Sequence, residues 1–315
     1  MEIGLLRTFV TVVRLGSFSA AAGELGYTQS AVSQQIAALE HDLGVALLHR
    51  RPVTATEAGR RLVEHAGPIL LRLDAARADV RRLSGAAPAH VDVGASPRAD
   101  RPRAAEVLAD LRAAMPRVTF SLRVAGRVAI TSAVAKGGLD LGLVDGVTAM
   151  SDPLPLPDAG LLLVTPLSET PVAVAVPPDH PLAGRSQVRL EHLADAAWVD
   201  APDIVTPLAQ LRTMARTDGF RASLRYDGTD VRTLLSLVAA GAGLVLLPAP
   251  LLDGAKAGAG ALRWAGPGHG DPGLVGLPLA APRLVHRVDL VHASLTDAAA
   301  AMVAELRRAA GDRAS

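Results

Sequence analysis

Apolar positions change their rhythm twice along this chain, and each change marks a different kind of element. From Glu2 to Leu15 they fall at helical spacing, with Leu6, Phe9, Val10 and Val13 as the inward stripe. A second helix follows, with Ser19 as its predicted cap, and Gly26 stops it by supplying a left-handed turn after Leu25. Thr28 then caps a third helix, whose buried face repeats at Val32, Ile36, Leu39 and Leu43. The small residues Ala20, Ala21 and Ala22 allow close helix crossing. A short wing is expected from about Val45 to Thr54, where Pro52 cannot extend a strand ladder.

From Thr56 to Ser84 the rhythm becomes steps of four and three. Leu62, Ala66, Ile69, Leu73, Ala76, Val80 and Leu83 form an a/d heptad seam, the pattern of a helix that pairs with a second helix. The alternative is a surface helix packed on its own domain. Pro68 inside the seam removes a backbone donor and is expected to kink the helix. Residues 85–88, Gly-Ala-Ala-Pro, read as a linker. Beyond Ala89 short strands alternate with helices. Strands are expected at His90–Gly94, Val118–Val124, Leu139–Val144, Thr170–Val176, Ala196–Asp200, Leu244–Pro248 and Arg287–His292. Helices are expected at Arg101–Ala114, Ala129–Lys136, Arg232–Ala240 and Asp297–Ala310. Such alternation implies parallel sheets.

The third helix carries the first candidate chemistry. Gln29, Ser30, Ser33, Gln34 and Gln35 crowd the face opposite its apolar stripe. A Gln amide can pair bidentately with adenine, and Ser can donate or accept. Two helices, a tight turn and a polar face at the start of the second are the arrangement of a helix-turn-helix in the major groove. Arg50 and Arg51 of the wing are candidates for phosphate. A merely solvated helix face is the bland alternative.

These residues resemble the LysR-type transcriptional regulators. The likeness rests on Phe9, Gly16-Ser17-Phe18, Ala21-Ala22, Leu25, Thr28-Gln29-Ser30, Val32-Ser33, Ile36, Leu39-Glu40, Leu43-Gly44, Leu47, Arg50, Thr56 and Gly59. Leu48 departs from it, since the family usually has Phe there. The resemblance implies an all-α winged helix-turn-helix (residues 1–55), a linker or dimerisation helix with a hinge (56–88) and a two-lobed α/β effector domain like the periplasmic binding proteins (89–308). Lobe I would hold about 89–164 and 275–308, and lobe II about 165–274. It also implies double-stranded DNA and a small-molecule effector as partners, and a homodimer that pairs into a tetramer. The other class of reading is an α/β ligand-binding or enzymatic protein with a degenerate DNA head. Salt-dependent binding to DNA separates the two.

Composition narrows the choice. With 315 residues, 50% apolar and 20% charged, the chain suits two or three globular domains. Net charge is only +1, and residues 1–88 carry 10 Arg, no Lys and 8 Asp plus Glu, a balance of +2. DNA affinity must then come from placed contacts and pairing more than from a broad basic field. No cysteine is present, which excludes disulfides, thiolate catalysis and Cys-ligated metal and suits a reducing cytoplasm. No apolar run is long enough for a membrane, and residues 1–18 lack the pattern of a signal peptide.

No metal, cofactor or catalytic motif emerges. The nine His form no HExxH; His286 and His292 share one face of a strand and are expected to be structural. There is no GxSxG elbow or Walker loop, the Gly-rich stretch 254–270 reads as a loop, and Asp140 as part of a structural turn. Ligands of open α/β sheets sit at the carboxyl ends of strands. That places Ser96, Pro97 and Arg98 after the first strand of the α/β region and Arg127 after the second. Asp200, Ala201, Pro202, Thr229 and Asp230 are the candidates from lobe II. Two guanidinium groups at one cleft call for an anionic effector; the alternative is that they point to solvent or pair with Asp100, Asp145 or Asp200.

Overall fold

Two side-chain caps and a run of buried Ala set the N-terminal unit. The chain is seen in a computed structural model that describes residues 2–83, 90–99, 101–156, 162–252, 255–256, 262–264 and 273–311. Helix α1 (Ile3–Leu15) leads to α2 (Phe18–Leu25), α3 (Gln29–Leu43), the hairpin β1 (Leu48–Arg50) and β2 (Val53–Ala55), and α4 (Glu57–Leu83). Ser17, not Ser19, caps α2 by accepting from the Ala20 N–H, because it is Ser17 that holds the extended backbone a cap requires. Gly26 has φ +70° and Thr28 accepts from the Ala31 N–H, so α3 starts where its polar face starts. Phe9, Val12, Ala21, Ala22, Val32, Ile36 and Leu39 pack into one core with Leu47 and Leu48. Val12 replaces the expected Val10 and Val13 as a fully buried position, and Leu43 is exposed.

The residues up to Leu83 form one compact unit and those from His90 onward a second. Helix α4 passes through Pro68 without ending. Its expected seam divides. Ala66 is buried in its own unit and Leu62 packs on that unit's core, so neither is free to meet a partner. Ile69, Ala76 and Val80 are exposed and Leu73 is half-buried; the side chain of Leu83 and the linker at 85–88 lie outside the described residues.

The second unit contains β3 (His90–Ala95), α5 (Arg101–Ala114), β4 (Thr119–Val124), α6 (Arg127–Ala135), β5 (Leu141–Ala149) and β6 (Leu163–Val176). There follow β7 (Val188–Arg189), β8 (Ala197–Asp200), α7 (Leu208–Ala215), β9 (Arg221–Arg225), α8 (Val231–Ala239) and β10 (Val245–Pro248). The chain ends with β11 (Ala255–Lys256), β12 (Leu262–Trp264), β13 (Leu274–Ala281), β14 (Leu284–His292) and α9 (Asp297–Gly311). Strands β11 and β12 fall inside the stretch expected to be a loop; the rest of that stretch lies outside the described residues.

The sheet is mixed rather than parallel. β3 pairs in parallel with β4 and β5, but β14 inserts antiparallel between β5 and β6, and β6 is antiparallel to β10 and β13. The late return of β14 is what breaks the parallel pattern. β6 joins two lobes: its first half pairs with β14 and its second half with β10 and β13. In one lobe, β3, β5 and β14 bury Val93, Leu143 and Leu290 against Leu111 of α5 and Met302 of α9. In the other, Trp198 and Phe220 meet edge-on at 5.3 Å, with Val174, Leu211 and Leu277 around them.

Candidate functional site

Two sites result, one in each unit. On α3, Gln29, Ser30 and Gln34 are exposed and Ser33 is half-buried. Gln29 Oε1 accepts from Ser19 Oγ at 3.2 Å, which fixes the amide at the head of the helix. Gln35 departs from expectation. Its Oε1 accepts from Thr8 Oγ1 at 2.5 Å, so this side chain ties α3 to α1 and does not face outward. Arg50 is also engaged. Its Nη2 donates to Glu40 Oε2 at 3.1 Å and its guanidinium lies 5.2 Å from the Phe18 ring centre. Glu40 Oε1 in turn accepts from the Leu47 and Leu48 N–H groups, at 2.8 and 3.1 Å, and so anchors the wing to α3. Arg51 is exposed in the turn of the β1–β2 hairpin.

The second site is a cavity at the carboxyl ends of β3 and β4, against the middle of β5. Ser96, Arg98, Arg127, Asp145, Gly146 and Thr206 are among its lining residues, with Pro202 and Asp203 closing it from the other lobe. Arg98 Nη2 donates to Asp145 Oδ2 at 3.0 Å, one of the pairings left open by the sequence. Ser96 Oγ donates to the other oxygen, Asp145 Oδ1, and accepts from the Asp145 N–H. His286 completes the set, with Nε2 at 2.8 Å from Asp145 Oδ2. Burial alone would push the Asp145 carboxyl up, but Arg98, His286 and Ser96 together hold it well below the usual carboxylate range. Burial lowers His286, so its imidazole is neutral at pH 7.

Arg127 opens α6 and lies against the backbone of β5; a Cβ at Gly146 would fall 2.1 Å from its Nη1. Its Nη2 donates a long bond, 3.4 Å, to Gln210 Oε1. Burial and the nearby Arg98 charge both lower Arg127, against Asp145, which raises it. An Arg stays protonated even so. Inside the cavity two cations share one buried carboxylate, and the exposed Asp203 is also on its lining. Among the described residues no acceptor meets Arg98 Nε or Nη1, and Thr206 Oγ1 is buried without a partner. Buried donors without acceptors are costly, and these leave the cavity with unmet hydrogen-bonding capacity.

Pro97 is buried beside the cavity without lining it, and Ala201 shapes the loop by accepting from the Ile204 and Val205 N–H groups. Asp200, Thr229 and Asp230 do not line the cavity. Asp200 faces Arg225 at 3.7 Å and accepts from the Leu208 N–H, while Asp230 caps α8 through Thr233. Both carboxylates are turned to local backbone and so lie away from the cleft. The residues missed were Asp203 and the run to Pro207; the strand-end rule pointed to this loop but not to how far it extends. His292 bonds a neighbouring carbonyl, and Asp140 accepts from the Asp92 N–H, so both are structural. No group of metal-ligating side chains occurs among the described residues.

A winged helix-turn-helix unit and a two-lobed unit with a buried polar cavity are the parts of a ligand-responsive DNA-binding protein. Residues 3–60 match the family model of the bacterial regulatory helix-turn-helix protein, lysR family, and residues 84–311 match the LysR substrate binding domain. A probable hydrogen peroxide-inducible genes activator of Mycobacterium leprae is 30% identical over 77% of this chain and 76% of that relative. The HTH-type transcriptional regulator BudR of Raoultella terrigena is 29% identical over 79% of this chain and 84% of its own. Full-length BenM, a solved structure, is 25% identical with a TM-score of 0.51, covering 100% of this chain and 98% of BenM. The chain belongs to the LysR family: it is a DNA-binding transcriptional regulator, not an enzyme, and it responds to a small-molecule effector. Among the described residues no helix is long and apolar enough to cross a membrane.

Proposed function

We propose that this regulator reads bases with Gln29, Ser30, Ser33 and Gln34 of α3, and that its effector is a small anion held by Arg98 and Arg127. The observation that carries the anion is the set of unmatched donors: two buried guanidinium groups share a single buried carboxylate, and among the described residues Arg98 Nε and Nη1 meet no acceptor. An anion answers these donors more strongly than a neutral effector does. Arg51 meets phosphate from the wing, whereas Arg50 holds the wing in position through Glu40. The protein acts in the cytoplasm as a dimer paired through the outer part of α4, and two dimers form a tetramer. The relative from Mycobacterium leprae carries hydrogen peroxide in its name; these 315 residues contain no cysteine, so thiol oxidation is not the signal here.

The test uses the full-length protein and Arg127→Gln, with acetate, benzoate, malonate and sulfate as probes in calorimetric titration. Saturable binding to the wild type that the variant loses supports the reading. If no probe binds either protein while an uncharged metabolite changes DNA binding, the anion assignment is wrong. Binding raises apparent stability by mass action, so a thermal shift provides a second readout.

A further inference from the structure

The loop that closes the cavity carries a carboxylate of its own. Asp203 is exposed, yet its Oδ1 lies so close to Gly126 that a Cβ there would fall only 1.9 Å away. Gly126 precedes α6, a helix of nine residues with Arg127 in its first position. Its backbone, at φ −60° and ψ 153°, is one that any residue adopts, so a side chain there would meet the Asp203 carboxylate and push it aside. A helix start carries partial positive charge and free N–H groups, and here Ile130 is the first residue whose N–H is returned to the Gly126 carbonyl. The carboxylate therefore rests on the positive end of α6, at the mouth of the cavity that Arg98 and Arg127 line.

We propose that Asp203 is a built-in competitor for the effector and restricts the site to ligands carrying one negative charge. This rests on the anion reading above. With Asp203 at the mouth, the cavity lining carries two cations and two carboxylates. The remaining free volume is about 10 Å³, room for one water molecule and not for a carboxylate. A monoanion enters only when Asp203 swings out, and it then restores the same balance through Arg98 Nε and Nη1, Thr206 Oγ1 and Arg127. A dianion leaves an excess negative charge next to a tethered carboxylate. The base of the loop does not move with it, since Ile204 and Val205 are buried in the core of their lobe.

The experiment compares the full-length wild type, Asp203→Asn and the double variant Asp203→Asn/Arg127→Gln. Acetate and benzoate serve as monoanions, malonate and sulfate as dianions, each titrated by calorimetry. Asp203→Asn should bind the monoanions about tenfold more tightly, because the open form no longer competes with a charged internal occupant. It should also gain malonate or sulfate binding that the wild type lacks, and Arg127→Gln should remove the gain. Equal monoanion affinity in wild type and Asp203→Asn, with dianions refused by both, overturns the role of Asp203 and leaves the anion site standing. Absence of binding by every probe to every variant overturns both.

Discussion

Arg98 and Asp145 form an ion pair of 3.0 Å in which both side chains are almost wholly shielded from water. Such a pair adds little when complete, because desolvation offsets the attraction, but removing one partner strands a buried charge at a cost of about 3–5 kcal/mol. Asp145→Ala should therefore destabilise the second unit by that order in urea unfolding. The sign with pH follows from the direction of the shift. The Asp145 carboxyl is held below its ordinary value of 3.8, so its contribution is complete above that pH and is lost as pH falls below it. The gap between wild type and Asp145→Ala should shrink in acid; a gap that stays constant from pH 7 to pH 3 contradicts the assignment.

Asp289 should behave in the opposite sense. Burial raises its carboxyl, while Arg287, bonded to Oδ1 at 2.8 Å, pulls it back down. A raised carboxyl costs stability as pH rises from its ordinary value of 3.8 through its folded-state value. Asp289→Asn keeps an acceptor for Arg287 and removes the buried charge. Its cost at pH 7 should be well below that of Asp145→Ala, a difference that paired urea titrations measure directly.

On α3 two glutamines six residues apart should separate binding from folding. Gln29→Ala should weaken specific DNA binding by about 1–3 kcal/mol and leave binding to random DNA nearly intact. Gln35→Ala should instead cost about 1 kcal/mol of stability, since its carbonyl serves Thr8. Equal losses on specific and random DNA for Gln29→Ala would remove base reading from this residue.

Glu40 should matter more to the wing than Arg50 does. Its Oε1 takes two backbone N–H groups, from Leu47 and Leu48, and loss of that oxygen leaves both donors beside buried side chains. About 1–3 kcal/mol is the usual cost of a stranded buried donor. Glu40→Ala should then lower the melting temperature and weaken DNA binding together, while Arg50→Ala lowers stability less. If Arg50→Ala abolishes binding at full stability, Arg50 contacts DNA rather than supporting the wing.

Much of this was legible in the residues themselves. Thr28, Gly26 and the stripe Val32, Ile36 and Leu39 placed α3 because caps and helical periodicity are local signals. Arg98 and Arg127 were found because strand ends are local too. What was missed is non-local or short. α7 follows Pro207 with only eight residues, β9 reads Arg-Ala-Ser-Leu-Arg with little burial, and β13 carries Gly276 and Pro278, which argue against a strand. Gln35 lay on the expected polar face, and nothing in its neighbours announces Thr8, which lies 27 residues away.

The heptad seam of α4 shows the same limit and leads to a divided outcome. Leu62 and Ala66 belong by spacing to one continuous stripe with Ile69, Leu73, Ala76 and Val80. Yet Leu62 packs on the core of its own unit and Ala66 is fully buried, so a partner helix finds its apolar surface only farther along. There Ile69 is 43% exposed and Val80 68% exposed, and the steps 69, 73, 76, 80 keep the four-three-four rhythm of a paired seam. Arg7 on α1 bonds Asp74 at 2.7 Å, which holds this stretch of α4 in line with the DNA-binding helices. Ile69→Glu with Val80→Glu should give a folded monomer in sedimentation equilibrium, with the two half-sites of a palindrome no longer bound together. Leu62→Glu should fail differently, by unfolding the N-terminal unit. A double variant that still sediments as a dimer would place the pairing surface elsewhere.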